Sequence, residues 1–348
     1  MQAAPRSRPC GRTSGKPSAE RLRALPPGKV KDAGAKYGRE FREIRKNRVI
    51  VRGIPGEHKK HVVKEQETGM QAGQETGIRA VQKFREKAEV LQNTRIAKGI
   101  YDLRLKTKQI AAAAKPGQFV SVYSNDHSRL LPRPISICGA DPESGELRLV
   151  FRVAGKGTEE FSRLSAGDRV DLTGPLGNGF PESVLKGQAG KTVFLIGGGI
   201  GIPPMVQLAR TLAAGDDEKG APRLISVLGF RDELFLVDDL KAYSEVVIAT
   251  EDGSCGTKGN VLDAIRGRNL RADVICACGP TPMLCALRAY AQETGTECWL
   301  SLEEKMACGI GACLSCVCKS TDIDEHSRVR NKRVCTEGPV FNSIDIEL

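Results

Sequence analysis

No apolar run in this chain reaches the roughly 20 residues that a helix needs to cross a bilayer, so a soluble protein is expected. The N-terminus lacks the long apolar stretch of a signal peptide, which argues against a disulfide-built secreted fold despite the 12 cysteines. The G-x-G-x-x-G fingerprint of ordinary dinucleotide-binding folds is missing. So is a second C-x₂-C pair near the C-terminal cysteines, and structural Cys₄ zinc sites usually read as two such knuckles.

Net positive charge is absent from most of the chain too. The net charge of +11 belongs to the N-terminal quarter: residues 1–87 carry 22 Lys/Arg against 9 Asp/Glu, whereas residues 88–348 carry 31 against 33. There is thus no electrostatic case for nucleic-acid binding by the part that carries the motifs. Residues 1–60 are rich in Arg, Lys, Gly and Pro and poor in aromatics, a composition that buries too little surface to offset its ordering entropy. A mostly disordered extension over 1–87 is expected, with a short helix available at 74–90. A basic tail, a targeting segment and translated upstream sequence before Met70 compete as readings, and nine acidic residues weigh against the second. No function is assigned to it.

What is present begins at the other end. Cys308, Cys313, Cys316 and Cys335 follow C-x₄-C-x₂-C and a distant fourth Cys, the spacing by which plant-type ferredoxins hold a [2Fe–2S] cluster. Three thiolates on one tight loop face two irons only if the backbone wraps around them, and Gly309 and Gly311 sit where such a loop needs positive φ. Cys318 is a rival ligand, but two residues beyond Cys316 in an extended stretch its side chain points to the other face. A one-electron centre at the end of a chain implies that the rest supplies or drains electrons.

Between these ends the pattern is regular. AEVLQNTRI, GIYDLRLKT, GQFVSVYS, ISIC, ELRLVFRV and DRVDLTG read as short strands of an antiparallel barrel over 88–180, with TEEFSRL (158–164) as its one helix. Over 190–300 the rhythm becomes strand, glycine turn, helix. KTVFLIG, RLISVLGF, EVVIAT, DVICACG and ECWLS are the strands; PPMVQLARTL, ELFLVDDLKAY, NVLDAIRG and TPMLCALRAYAQE are the helices of a parallel-sheet α/β domain. Residues 301–348 form a small cysteine-loop domain.

Four motifs carry chemistry in these domains. Arg133-Pro134-Ile135-Ser136 presents a guanidinium fork and a hydroxyl, though a plain strand start is an equal reading. Gly155-Lys156-Gly157-Thr158 opens the barrel helix, where free N–H groups make an anion site. FLIGGGIGIPPM and CGPTPM lie at strand C-terminal edges, where open α/β sheets bind ligands.

RPIS, GKGT, GGGIGIPP and CGPTPM in that order resemble the ferredoxin–NADP reductase superfamily. TEDGSCGTKG (250–259) and EEKMACGIGACLSCVCK…RVCTEGPVF narrow the resemblance to the electron-transfer subunits of type 1B dihydroorotate dehydrogenases, from about residue 88 to the end. The N-terminal extension and the long gap from Cys316 to Cys335 depart from that pattern. The resemblance implies FAD on Arg133, Pro134, Ile135, Ser136, Val150, Phe151, Arg152, Gly157 and Thr158, and a [2Fe–2S] cluster on Cys308, Cys313, Cys316 and Cys335. It also implies NAD⁺ as acceptor, a role in pyrimidine biosynthesis and a cytoplasmic location. The expected partner is an FMN-containing dihydroorotate-oxidising subunit, in a heterotetramer with two copies of each. No catalytic residue is assigned; Glu303 and Glu304, just before the cluster loop, are within reach of the flavin, with an ordinary solvated pair as the preferred reading. The alternative is the small flavin subunit of an NADPH-dependent ferredoxin or sulfide reductase. At the end of the second strand of the α/β domain, Arg231 favours a 2′-phosphate and Asp232 a free 2′-hydroxyl, which leaves NAD or NADP open.

Overall fold

The computed structural model describes residues 82–348 apart from 127, 216–219 and 324–327, so the disorder expected before residue 82 lies outside the described residues. Strands β1 (Phe84–Ala97), β2 (Ile100–Lys106), β3 (Phe119–Val122), β4 (Arg133–Asp141), β5 (Glu146–Arg152) and β6 (Arg169–Leu176) close a barrel in the order β1-β2-β5-β4-β3-β6. All its pairings are antiparallel. Leu103, Leu105, Val120, Val122, Leu147 and Leu149 fill its interior. On β5 the neighbouring Val150 points the other way, into a second core shared with the parallel sheet. That strand is covered on both faces, which explains its unbroken apolar run LVF.

The start of the barrel differs from the helix expected at 74–90. Its described part enters β1 at Phe84, pairing with β6 from Phe84↔Gly174 to Glu89↔Arg169. Glu, Lys, Arg and Ala favour a helix locally, but Ala88 and Val90 are buried while Arg85, Lys87 and Glu89 are exposed, a period of two. The barrel also holds two helices rather than one, α1 (Ile110–Ala113) and α2 (Lys156–Phe161). The Glu86 carboxylate accepts N–H groups from Lys108, Gln109 and Ile110 at 2.6–2.8 Å and so caps the turn that starts α1.

After a short helix α3 (Glu182–Leu185), β7 (Thr192–Gly198), α4 (Pro203–Ala213), β8 (Arg223–Phe230), α5 (Val237–Lys241), β9 (Glu245–Thr250), β10 (Thr257–Lys258), α6 (Val261–Gly267), β11 (Val274–Cys278), α7 (Thr281–Thr294) and β12 (Glu297–Ser301) build the α/β layer. The parallel order is β10-β9-β8-β7-β11-β12. All five residues of β11 are buried, as a central strand under helices on both faces requires. Helix α5 is shorter than ELFLVDDLKAY suggested, because Leu236 takes a left-handed φ of 58° and starts it late.

Four short strands end the chain: β13 (Val317–Ser320), β14 (Asn331–Arg333), β15 (Val340–Asn342) and β16 (Ile346–Glu347). β15 joins the parallel sheet antiparallel to β12, and β14-β13-β16 form a separate small sheet. Cys316, Cys335, Val334 and Ile346 from this region share one core with Phe119 and Leu176 of the barrel and Ile275 and Leu300 of the α/β layer.

A charged contact ties barrel to α/β layer. Arg148 on β5 donates from Nε to both carboxylate oxygens of Asp102, at 3.1 and 3.0 Å, and from Nη1 to Asp239 on α5. Asp102 is buried whereas Asp239 is partly exposed. Arg148→Ala therefore leaves a buried carboxylate with only the longer contact to Arg104 at 3.9 Å, and is expected to cost about 3 kcal/mol, against ~1 kcal/mol or less for Asp239→Asn. Urea midpoints of the two variants check the asymmetry.

Candidate functional site

Antiparallel pairing of β4 with β5 puts the start of one beside the end of the other, at one mouth of the barrel. Eight of the nine residues that the resemblance assigns to FAD line a single cavity of about 320 Å³ there: residues 133–136 of β4, residues 150–152 of β5, and Thr158 of α2. Gly157 stands behind it. A Cβ on Gly157 would lie 2.7 Å from Nε of Arg133, so only glycine lets the guanidinium lie across the start of α2. Arg133 also folds back to donate to the carbonyl of Leu131. Thr158 closes its own turn: its hydroxyl accepts from the N–H groups of Ala154 and Gly155 at 2.9 and 3.1 Å and donates to the Gly155 carbonyl.

The far wall was not expected from the sequence. Leu302, Glu303, Glu304, Met306 and Pro339 complete the cavity, so the segment leading into the cysteine loop is part of it. Glu303 and Glu304 are wall residues rather than a bystander pair. Burial raises the Glu303 carboxyl above its ordinary range, with Arg152 pulling the other way, while solvent still reaches it at the mouth.

A second cavity of about 510 Å³ opens at the C-terminal edge of the parallel sheet, lined by Gly198, Gly199, Arg231, Glu251, Pro280 and Met283 among others. Arg152 lines this cavity as well as the first, so the two share a wall. The three glycines after β7 divide their work. A Cβ on Gly197 would lie 2.7 Å from Ile202, which makes it a packing glycine, while Gly198 and Gly199 face the opening. Helix α4 starts with Pro203 and Pro204, which have no N–H and are buried, so these two positions offer an anion no donor. Of the two carboxylates near Arg231, Glu251 lines the cavity; Asp232 does not, and its carboxylate accepts the Glu233 N–H.

The cysteine loop packs between barrel and C-terminal segment. Gly309 and Gly311 have φ of 67° and 87°, as the spacing required. Added Cβ atoms would lie 2.9 Å from Ser121 Oγ and 2.7 Å from Thr336 Cγ2, so the loop is pressed on both sides. The sulfurs meet in two pairs, Cys308 with Cys313 and Cys316 with Cys335. Backbone amides point at them. Desolvation works against the Cys308 thiolate, yet N–H groups of Ile310, Cys313 and Ala312 bring its pKa down to about 6. Desolvation and contact with Cys316 push Cys335 up to about 12, partly offset by the Gly311 N–H.

Among the described residues no three His, Cys, Asp or Glu side chains converge as the ligands of one metal ion would. A two-iron cluster takes two thiolates at each iron and does not ask for such a triad. Two sulfur pairs ringed by amide donors fit that group and its negative charge. Cys318 faces elsewhere, its Sγ donating to the Lys332 carbonyl across β13 and β14.

Two family models match the chain: an oxidoreductase FAD-binding domain over residues 82–180, and the iron-sulfur cluster binding domain of dihydroorotate dehydrogenase B over residues 303–347. The dihydroorotate dehydrogenase B (NAD(+)) electron transfer subunit of Listeria monocytogenes is 44% identical over 262 residues, covering 75% of this chain and 98% of that protein. The subunit of the same name from Bacillus caldolyticus is 41% identical over 268 residues, covering 76% and 99%. A solved NADH-dependent reduced ferredoxin-NADP oxidoreductase is similar with a TM-score of 0.65 and 28% identity, covering 75% of this chain and 89% of that one.

The environment of Glu303 has a pH signature. A carboxyl raised in the folded state costs stability once ionised, fully above its folded pKa and not at all below its ordinary value of 4.5. Glu303→Gln is therefore expected to stabilise the chain at pH 7, with the gain fading as pH falls toward 4. Urea midpoints of both proteins across that range check this, and a gain that grows on acidification would contradict it.

Proposed function

Because the chain belongs to the family of dihydroorotate dehydrogenase B electron transfer subunits, we infer that it carries electrons from a dihydroorotate-oxidising catalytic subunit to NAD⁺ in pyrimidine biosynthesis. It is one component of an NAD-dependent oxidoreductase, and its cofactors are FAD and an iron–sulfur cluster. The observation that carries this reading is the pair of shared walls. Met306, two residues before Cys308, lines the first cavity, and Arg152 lines both cavities. Cysteine loop, first cavity and second cavity thus follow one another without a gap in the order the electrons need.

FAD takes electrons singly and releases them as a pair in a hydride, and an iron–sulfur cluster carries them one at a time. The residues of the chain position these groups. Arg133, Pro134, Ile135, Ser136, Val150, Phe151, Arg152, Gly157 and Thr158 hold FAD at the barrel mouth, the Arg133 guanidinium supplying positive charge beside α2. Cys308, Cys313, Cys316 and Cys335 hold a [2Fe–2S] cluster, with the amides of the 310–313 stretch offsetting its negative charge. The second cavity takes NAD⁺, with its edge toward Arg152 nearest the flavin. The partner oxidises dihydroorotate at its own FMN, and the assembly contains two copies of each chain. Among the described residues no helix is long and apolar enough to cross a membrane, in keeping with a cytoplasmic enzyme. The reductase alternative uses the same three sites, but the relatives that match this chain along nearly their whole length carry the dehydrogenase name.

An anaerobic absorption spectrum before and after NADH, with iron and acid-labile sulfide assayed, tests the reading. One flavin and two irons per chain are expected, with the flavin bleached by NADH; a chain that takes up cluster but no flavin would overturn it. Cys308→Ser is expected to abolish electron passage from the partner while NADH still reduces the flavin, and equal loss of both activities would contradict that division. For the acceptor, Glu251 supplies the negative charge at the second cavity that the sequence placed on Asp232. Glu251→Gln is expected to improve binding of 2′,5′-ADP by about tenfold through loss of like-charge repulsion, with Asp232→Asn near neutral. Calorimetric titration of the FAD-loaded chain measures both.

A further inference from the structure

The hydroxyl of Thr336 is shut off from solvent and has no hydrogen-bond partner. Leaving such a group dry costs about 1–3 kcal/mol, so a buried orphan calls for a reason. Shaping its own loop is not that reason. The Thr336 N–H donates to the Arg333 carbonyl at 3.1 Å, and its carbonyl accepts from Asn178 Nδ2 at 3.1 Å. Nor is packing, since the side-chain atom closest to Gly311 is the methyl Cγ2, which a valine would supply equally well.

Its position points to the cysteine loop. Thr336 follows Cys335, whose sulfur receives the Gly311 N–H. A Cβ on that same Gly311 would lie 2.7 Å from Thr336 Cγ2 and 3.5 Å from Oγ1. The Cys335 sulfur and the Thr336 hydroxyl therefore both stand against one residue, midway between Cys308 and Cys313. Arg333 Nη1 donates to the Gly311 carbonyl at 3.2 Å, so the two strands of chain are held in that relation.

We propose that the Thr336 hydroxyl donates a hydrogen bond to a sulfur of the iron–sulfur cluster held by Cys308, Cys313, Cys316 and Cys335, and raises its reduction potential. This rests on the cluster reading of the proposed function. When the cluster accepts one electron, delivered by reduced flavin from either side, its net charge becomes more negative by one unit and no proton moves. A donor aimed at a sulfur stabilises the reduced form more than the oxidised one, and hydrogen bonds to sulfur are among the factors that set such potentials. Thr336 is a positioning residue of this kind, tuning the step between the two flavins and not touching either.

The test is a mediator-controlled redox titration of the full FAD-loaded chain, followed by electron paramagnetic resonance, for wild type, Thr336→Val and Thr336→Ser. Iron and sulfide are assayed on each. Val is expected to lower the potential by about 59 mV, a tenfold fall in the reduced-to-oxidised ratio at fixed potential for one electron. Ser, which keeps the hydroxyl, is expected to titrate with wild type, and the flavin midpoint to stay put in all three. Equal cluster potentials for Val and wild type at equal iron content overturn the proposal. Should Val take up no iron, Ala against Ser makes the same comparison, and equal potentials there overturn it too. A wild-type chain without iron and sulfide would overturn the functional reading itself, and this inference with it.

Discussion

Three residue pairs between β12 and β15 decide where everything electroactive sits: Trp299↔Asn342, Leu300↔Phe341 and Ser301↔Val340. They add an antiparallel strand to the edge of a parallel sheet, so residues 302–339 must leave and return at one point. The Leu302 N–H donates to the Pro339 carbonyl at 2.9 Å and extends the closure by one rung. Beyond it the excursion has no long strand of its own to hold it. It leans on the barrel instead: Asn178 donates from its backbone to Gly338 and from its side chain to the carbonyls of Thr336 and Glu337. Both ends of the excursion, with Leu302, Glu303, Glu304 and Met306 at one and Pro339 at the other, become a wall of the first cavity, and its first half carries the cysteine loop. Loosening the clamp would move both at once.

The sites share a second trait, in that backbone shapes them as much as side chains do. Close approach is secured by glycine: Gly157 under Arg133, Gly309 against Ser121, Gly311 against Thr336. Amides, which cannot change charge or swing away, face the sulfurs. A site built this way is preorganised by the turns around it, and those turns are fixed by the strands they connect. The charged side chains that do appear, Arg133, Arg152 and Glu303, gather where two cavities or two domains meet.

Much of this was legible in order and type. The alternation of short strands followed by strand–helix units announced a barrel and a parallel sheet, and the RPIS, VFR and GKGT segments came together at one mouth because β4 and β5 are antiparallel neighbours. What failed did so for local reasons. FREKAEV carries good helix formers, and only its pairing with β6 makes the period of two decisive. Glu303 and Glu304 are exposed, as a solvated pair is, but nothing in EEK reveals that the preceding strand also delivers them to the wall of a cavity built from the barrel; the same long-range closure hid Met306 and Thr336.

The burial of the other cysteines bears on how the protein comes to hold iron at all. Cys138, Cys276, Cys278 and Cys298 are buried in the two main cores, and desolvation raises every one of their thiols. They stay protonated and out of reach, and a protonated thiol does not bind metal. Cys308 differs from these four, its pKa brought down to about 6 by surrounding amides. Burial thus withdraws four thiols from metal chemistry, and among the described residues the less buried sulfurs are Cys308 and Cys313 of the loop with Cys255 and Cys285 of the α/β layer.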